Sequence, residues 1–140
     1  MALAQDPIAA LIDYLQANGT ISALLSARVY GLKLPEADAA SMPRQAIVIN
    51  GAGGIGDGSF VPVENIRLDF FCYGETSFEA WETYLTLQTV LKQMDRNVIN
   101  STLLLSAVHS AGPFPTTDQK TEWPVVVDTW ILQFHTTLCA

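Results

Sequence analysis

The sequence is short of the residues that most protein chemistry uses. It holds two cysteines, Cys72 and Cys139, and two histidines, His109 and His135, in 140 residues. A four-ligand zinc site would need all of them, and they lack the close pairs such sites use. Two cysteines make no disulfide framework, and nothing points to an oxidising compartment. Cys72 lies in a strand-like run and reads as a small buried hydrophobe. Bases are scarce too: seven Lys and Arg stand against fourteen Asp and Glu, for a formal net charge of -7. The seven (Arg28, Lys33, Arg44, Arg67, Lys92, Arg96 and Lys120) are scattered, so no basic stripe faces nucleic-acid phosphates. No apolar run approaches the ~20 residues of a membrane span. The opening MALAQDPIAALIDYL has no basic leader and carries Asp6 and Asp13, unlike a signal peptide. A soluble cytoplasmic product is expected. No G-x-S-x-G elbow exists, since Gly58-Ser59 lacks its partner glycine.

What the chain does have is apolar bulk: 49% hydrophobic residues and only 15% charged. That suits a single domain over residues 1–140 with a core of its own. Asp6-Pro7 starts a helix, as Pro loses no needed N–H at the first helical position. Ile8, Leu11, Ile12 and Leu15 then form one apolar stripe. Asn18-Gly19 ends this helix, and Thr20 caps a shorter one carrying Ile21, Leu24 and Leu25. A short strand at Arg28–Tyr30 opens an irregular stretch with Pro35 and Pro43, and Gln45–Asn50 reads as a second strand.

VPVENIRLDFFCY alternates, with Ile66, Leu68, Phe70 and Cys72 on one side and Asn65, Arg67 and Asp69 on the other. Thr76 and Glu79 form a capping box for the longest helix. Its stripe is Ala80, Tyr84, Leu87, Leu91 and Met94, its opposite face Glu75, Glu79, Glu82 and Thr86, and its end near Asp95. Two strands, about Thr102–His109 and Val125–Phe134, flank a polar loop over 112–124. The order α, α, β, β, α, β, β predicts an α+β domain. Its sheet is mostly antiparallel with about four strands, two to three helices pack on one face, and the hairpin loops are long.

Residues 51–56 read GAGGIG, and Gly51, Gly53 and Gly56 match a dinucleotide-binding fingerprint. Such glycines must open a helix whose free N–H groups hold the pyrophosphate. Here the run continues through Gly58 into a strand, and no Gly-Lys-Ser/Thr follows. With five of the nine glycines inside 51–58, the stretch reads as a flexible strand-to-strand connection that orders on meeting a partner. No cofactor is expected.

Three further features draw attention. Asp69 shares a face with Arg67, which predicts a surface ion pair. Asp128 has the parity of Val126, Trp130, Leu132 and Phe134, which places it at a subunit contact or against a base. Of Trp81, Trp123 and Trp130, only Trp123 lies in the proline-bearing loop, where it is the tryptophan expected to touch a partner.

RVYGLKLPEADAASMPRQAIVI follows the paired opening helices, putting Arg28-Val29-Tyr30 ahead of Leu-Pro, a second Pro and a strand; later IRLDFFCYG precedes a helix rich in Ala, Trp and Tyr, then two final strands. Over nearly the whole chain this resembles the tail-completion or tail-terminator proteins of long-tailed bacteriophages, also found in prophages and gene-transfer agents. The resemblance implies a structural virion protein, not an enzyme, assembled in the host cytoplasm. Six copies would form a ring on the head-proximal end of the tail tube, ending tube growth and meeting the head's connector. Contacts would draw on Arg28, Tyr30, Pro43, Arg44, the glycine-run residues Gly51, Gly53, Gly54, Gly56, Asp57 and Gly58, and Trp123, with the 51–58 and 112–124 loops ordering on docking. DNA would pass through without specific binding, repelled by lumen acids for which Glu36, Asp38 and Asp57 are candidates. The nearest rival is another ring of the same junction, a head-closure or connector protein. A nucleotide-binding enzyme built on GAGGIG and a regulatory module dimerising through the Ala80–Met94 helix belong to other classes.

Overall fold

The computed structural model describes residues 7–25, 28–31, 45–55, 64–99, 102–117 and 123–136. The elements are α1 (Pro7–Ala17), α2 (Gly19–Leu25), β1 (Val29–Gly31), β2 (Ala46–Ile55), β3 (Glu64–Tyr73), α3 (Ser77–Lys92), β4 (Asn97–Ile99), β5 (Thr102–Thr117) and β6 (Pro124–Thr136). Among the described residues no single helix is long and apolar enough to cross a membrane.

The fold is α+β, and its sheet is mostly antiparallel. It holds six strands, not about four, in the order β1-β2-β3-β6-β5-β4. Only β1 and β2 pair parallel. β1 is the short strand expected at Arg28–Tyr30, and β4, also three residues long at an edge, is the strand not expected. A run that short shows no alternation, which is why β4 escapes the sequence pattern.

Helix α1 starts at Pro7 as expected and buries Leu11 and Leu15, with Ile8 and Ile12 packed at their margin. The cap of α2 is Asn18, not Thr20: its Oδ1 accepts from Thr20 N at 2.9 Å and Ile21 N at 3.3 Å. At α3, Thr76 Oγ1 accepts from Glu79 N at 3.2 Å, while the Glu79 carboxylate accepts from Glu75 N instead of closing the box on Thr76. The first turn of α3 lies against Gly74, where a Cβ would come within 2.3 Å of the Ala80 backbone nitrogen. Buried Thr83 ties the helix to the sheet by donating to Tyr73 O at 3.1 Å.

The three described helices pack on one face of the sheet. Leu11, Leu15, Ile21, Leu25, Tyr84, Leu87 and Leu91 meet Ile47, Ile49, Leu68, Phe70, Cys72, Trp130 and Leu132 in one buried cluster. The opposite face holds a smaller cluster of Ala46, Val48, Tyr73, Trp123 and Val125.

Two expected loops are partly strand. β2 runs on through Gly51, Gly53 and Gly54 to Ile55, and its register with β3 shifts between Gly51, opposite Leu68, and Gly54, opposite Ile66. Two residues, Ala52 and Gly53, thus stand against Arg67 alone, a bulge that admits the extra residue without ending the ladder. Likewise β5 continues past His109 to Thr117, so the connection to β6 is shorter than 112–124. β4 pairs only with Thr102, Leu103 and Leu104. Beyond them no described strand pairs with the outer side of β5, an edge position that tolerates Pro113 and Pro115, and three register shifts against β6 absorb the irregularity.

Candidate functional site

The structure disperses the residues that the sequence nominates. Arg28 is half-buried, with Nε donating to Gln45 O at 2.8 Å, so its guanidinium fastens the start of β2. Tyr30 is half-buried against the smaller cluster. Trp123 corrects an expectation: it is 1% exposed and meets Tyr73 edge-on at 5.7 Å. It opens β6 on the face away from the helices, where Tyr73 and Val125 enclose its ring. Gly51 is exposed at the bulge, and Gly53 and Gly54 belong to β2. Pro43, Arg44, Glu36, Asp38, Gly56, Asp57 and Gly58 lie outside the described residues. Arg67 and Asp69 make no ion pair; Asp69 Oδ1 accepts from Thr129 Oγ1 at 2.7 Å, across the β3–β6 register.

Asp128 is 1% exposed and does stand against a base. His109 Nε2 is 2.6 Å from its Oδ1, and Trp130 Nε1 donates to Oδ2. The His109 and Trp130 rings meet edge-on at 5.1 Å. Both carboxylate oxygens are therefore engaged, as burial of a charge requires. The cluster sits where β5 departs from regular pairing: Gly112 has φ +93°, and a Cβ there would come within 2.8 Å of Asp128 Oδ1. Burial, with the Asp128 charge adding, pushes the Cys72 thiol well up and keeps it protonated. This arrangement fastens β5 onto β6 and holds an inert thiol beneath it. Among the described residues no group of three His, Cys, Asp or Glu side chains is placed to hold a metal ion.

The surface offers more. Among the described residues the exposed large apolar side chains are Phe78, Leu85, Val108 and Phe114, at 78%, 52%, 53% and 63%. Phe78 and Leu85 stand on α3 with half-buried Trp81, and with Glu82 and Thr86 they line a shallow open hollow. Val108 and Phe114 lie on the sheet face opposite the described helices, because their β6 partners Ile131 and Val127 alternate with the helix-facing Trp130 and Leu132. Cross-strand rows there read Arg67–Ile131–Val108, Asp69–Thr129–Ala111 and Phe71–Val127–Phe114. Two unlike apolar patches thus occupy opposite layers.

The sequence does carry a signal for the first patch. Phe78, Trp81 and Leu85 fall at i, i+3 and i+7, a second apolar stripe beside the core stripe. Val108 and Phe114 have no such signal, since the register shifts between them break the period of two.

The chain matches no known family model, and a search of curated proteins gives no match.

Proposed function

We propose that this chain is a ring-forming structural subunit of a bacteriophage tail, a terminator that closes the head-proximal end of the tail tube. The resemblance over the opening helices, Arg28–Tyr30 and the later strand–helix–strand–strand order supplies the reading. The observation that carries it physically is the pair of unlike apolar patches on opposite layers, Phe78 with Leu85 and Val108 with Phe114. A two-fold dimer needs one self-complementary patch, whereas a head-to-tail contact uses two different ones and closes into a ring when the rotation allows. The partners on this reading are further copies of the chain, the tail tube protein and the head connector, in the virion. The net charge of -7 suits a ring through which DNA passes without sticking.

Light scattering across a concentration series, then negative-stain imaging alone and with purified tail tubes, tests the reading. Six-fold rings in solution or on tube ends are the expected result. Failure to form rings in both settings would reject it. A second reading, a regulatory module dimerising through α3, keeps one observation in its favour: the Phe78–Leu85 stripe is open while the Ala80, Tyr84, Leu87 and Leu91 face is buried. It predicts a two-fold dimer at every concentration.

A further inference from the structure

We infer that the contact between neighbouring copies is formed by the α3 stripe of one chain seated on the Val108–Phe114 sheet patch of the next; this rests on the ring reading above. Phe78, Trp81 and Leu85 would lie across Val108, Ile131, Val127 and Phe114, with Glu82 beside Arg67.

Charge favours this pairing over stripe against stripe. The α3 stripe is flanked by Glu75, Glu79 and Glu82 and meets no base before Lys92. Glu82 gives one oxygen to Gln45 Nε2 at 2.8 Å and lines the hollow beside Phe78 and Leu85. The sheet patch carries one base and one acid. Arg67 is exposed at the end of the Ile131–Val108 row, Asp69 is occupied by Thr129, and Asp128 points to the other face. Stripe against stripe would bring two sets of glutamates together, which like charge disfavours, whereas the sheet patch sets exposed Arg67 against them. The heterologous pairing brings Glu82 to Arg67, the more exposed of the two charges on the sheet patch.

Dimensions agree. At ~1.5 Å rise per residue, Phe78 to Leu85 spans about 10 Å along the helix. At ~3.4 Å per residue, the rows from Val127 to Ile131 span about 14 Å along β6. Aromatic anchors set among aliphatic neighbours, with charges at the rim, are the usual composition of a contact centre.

Two experiments read this contact. Phe78→Asp and Phe114→Asp change exposed residues of different patches, and circular dichroism checks that each variant folds. Each alone should weaken self-association roughly 30-fold or more, as loss of a central anchor does. Mixed together they should form a one-to-one dimer and nothing larger, because one intact patch remains on each. The second experiment does not depend on affinity. Leu85→Cys and Val108→Cys chains, both also Cys139→Ser, are mixed under mild oxidation. A disulfide-linked heterodimer is expected, in clear excess over either homodimer. No heterodimer, or homodimers in equal yield, would overturn the contact. Rings that persist without the cross-link would sink the contact and leave the ring reading standing. Cross-linked pairs that never close into rings or bind tubes would sink the ring reading and leave the contact standing.

Discussion

The two faces of this sheet are made by the same strands and do different work. On the helix side, β3 presents Leu68, Phe70 and Cys72, all buried under α1, α2 and α3. On the other side the same strand presents Arg67, Asp69 and Phe71, exposed or half-buried. Neighbouring strands follow suit: Trp130 and Leu132 are sealed, while Ile131 and Val108 face outward. Each large side chain fully removed from water contributes about 1.5–3 kcal/mol, so stability concentrates on the helix side. The other side keeps apolar surface in excess of what folding uses. The lesson is that apolar content alone does not identify a core; the strand's parity and the layer above it decide.

The largest effect should come from adjacent phenylalanines. Phe70→Ala should cost about 3–5 kcal/mol by leaving a cavity, and Phe71→Ala, half-buried on the other face, about 1–2 kcal/mol. Denaturant titration measures both, and equal costs would break the contrast between the faces. Next comes the polar exception on the buried side. Asp128→Ala strands the Trp130 indole N–H and should cost about 1–3 kcal/mol. Asp69→Ala, losing a half-buried bond to Thr129, should cost about 1 kcal/mol or less; the reverse order would show that the Asp128 cluster is hydrated.

Cys72 sharpens the comparison through pH. Its thiol is held protonated in the folded state, by burial first and the Asp128 charge second. The unfolded chain therefore releases that proton first as pH rises. Stability should be flat in this respect below the ordinary thiol value and fall above it by up to about 1.4 kcal/mol per pH unit. Denaturant midpoints from pH 8 to pH 10 for the parent and Cys72→Ala check this, and parallel curves would refute it. Smallest is Phe114→Ser, expected to change stability by less than about 0.5 kcal/mol. A larger loss by the same titration would mean that Phe114 belongs to the fold.

Where one physical pattern dominated, the sequence was legible. The alternation over Ile66–Cys72 reported the buried face of β3, the Thr76 cap reported the start of α3, and the parity of Asp128 put it on the buried side, leaving a subunit contact or a base, of which the structure shows the base. Where two signals competed, the local one misled. Glycines in 51–54 and prolines at 113 and 115 read as breakers, yet a bulge and an edge position accommodate both. Trp123 read as a partner contact because it lies in the proline-bearing loop, whereas it packs with Tyr73 and Val125 in the smaller cluster. The candidate contact surface was the least legible part. Half of it rests on cross-strand rows that exist only once β3, β6 and β5 are aligned.

That alignment has a consequence for how the molecule is made. In the sheet order, β6 stands between β3 and β5 and is the last of the described strands in the chain. The ladder of β1, β2 and β3 and the ladder of β4 and β5 have no shared strand until β6 enters between them. A growing polypeptide emerges from the ribosome with its earlier segments first, so these two half-sheets wait with open edges until β6 appears. Assembly is thereby timed: the Arg67–Ile131–Val108 and Phe71–Val127–Phe114 rows are completed by the same strand that completes the sheet. A nascent chain cannot present that half of the proposed contact before it has folded.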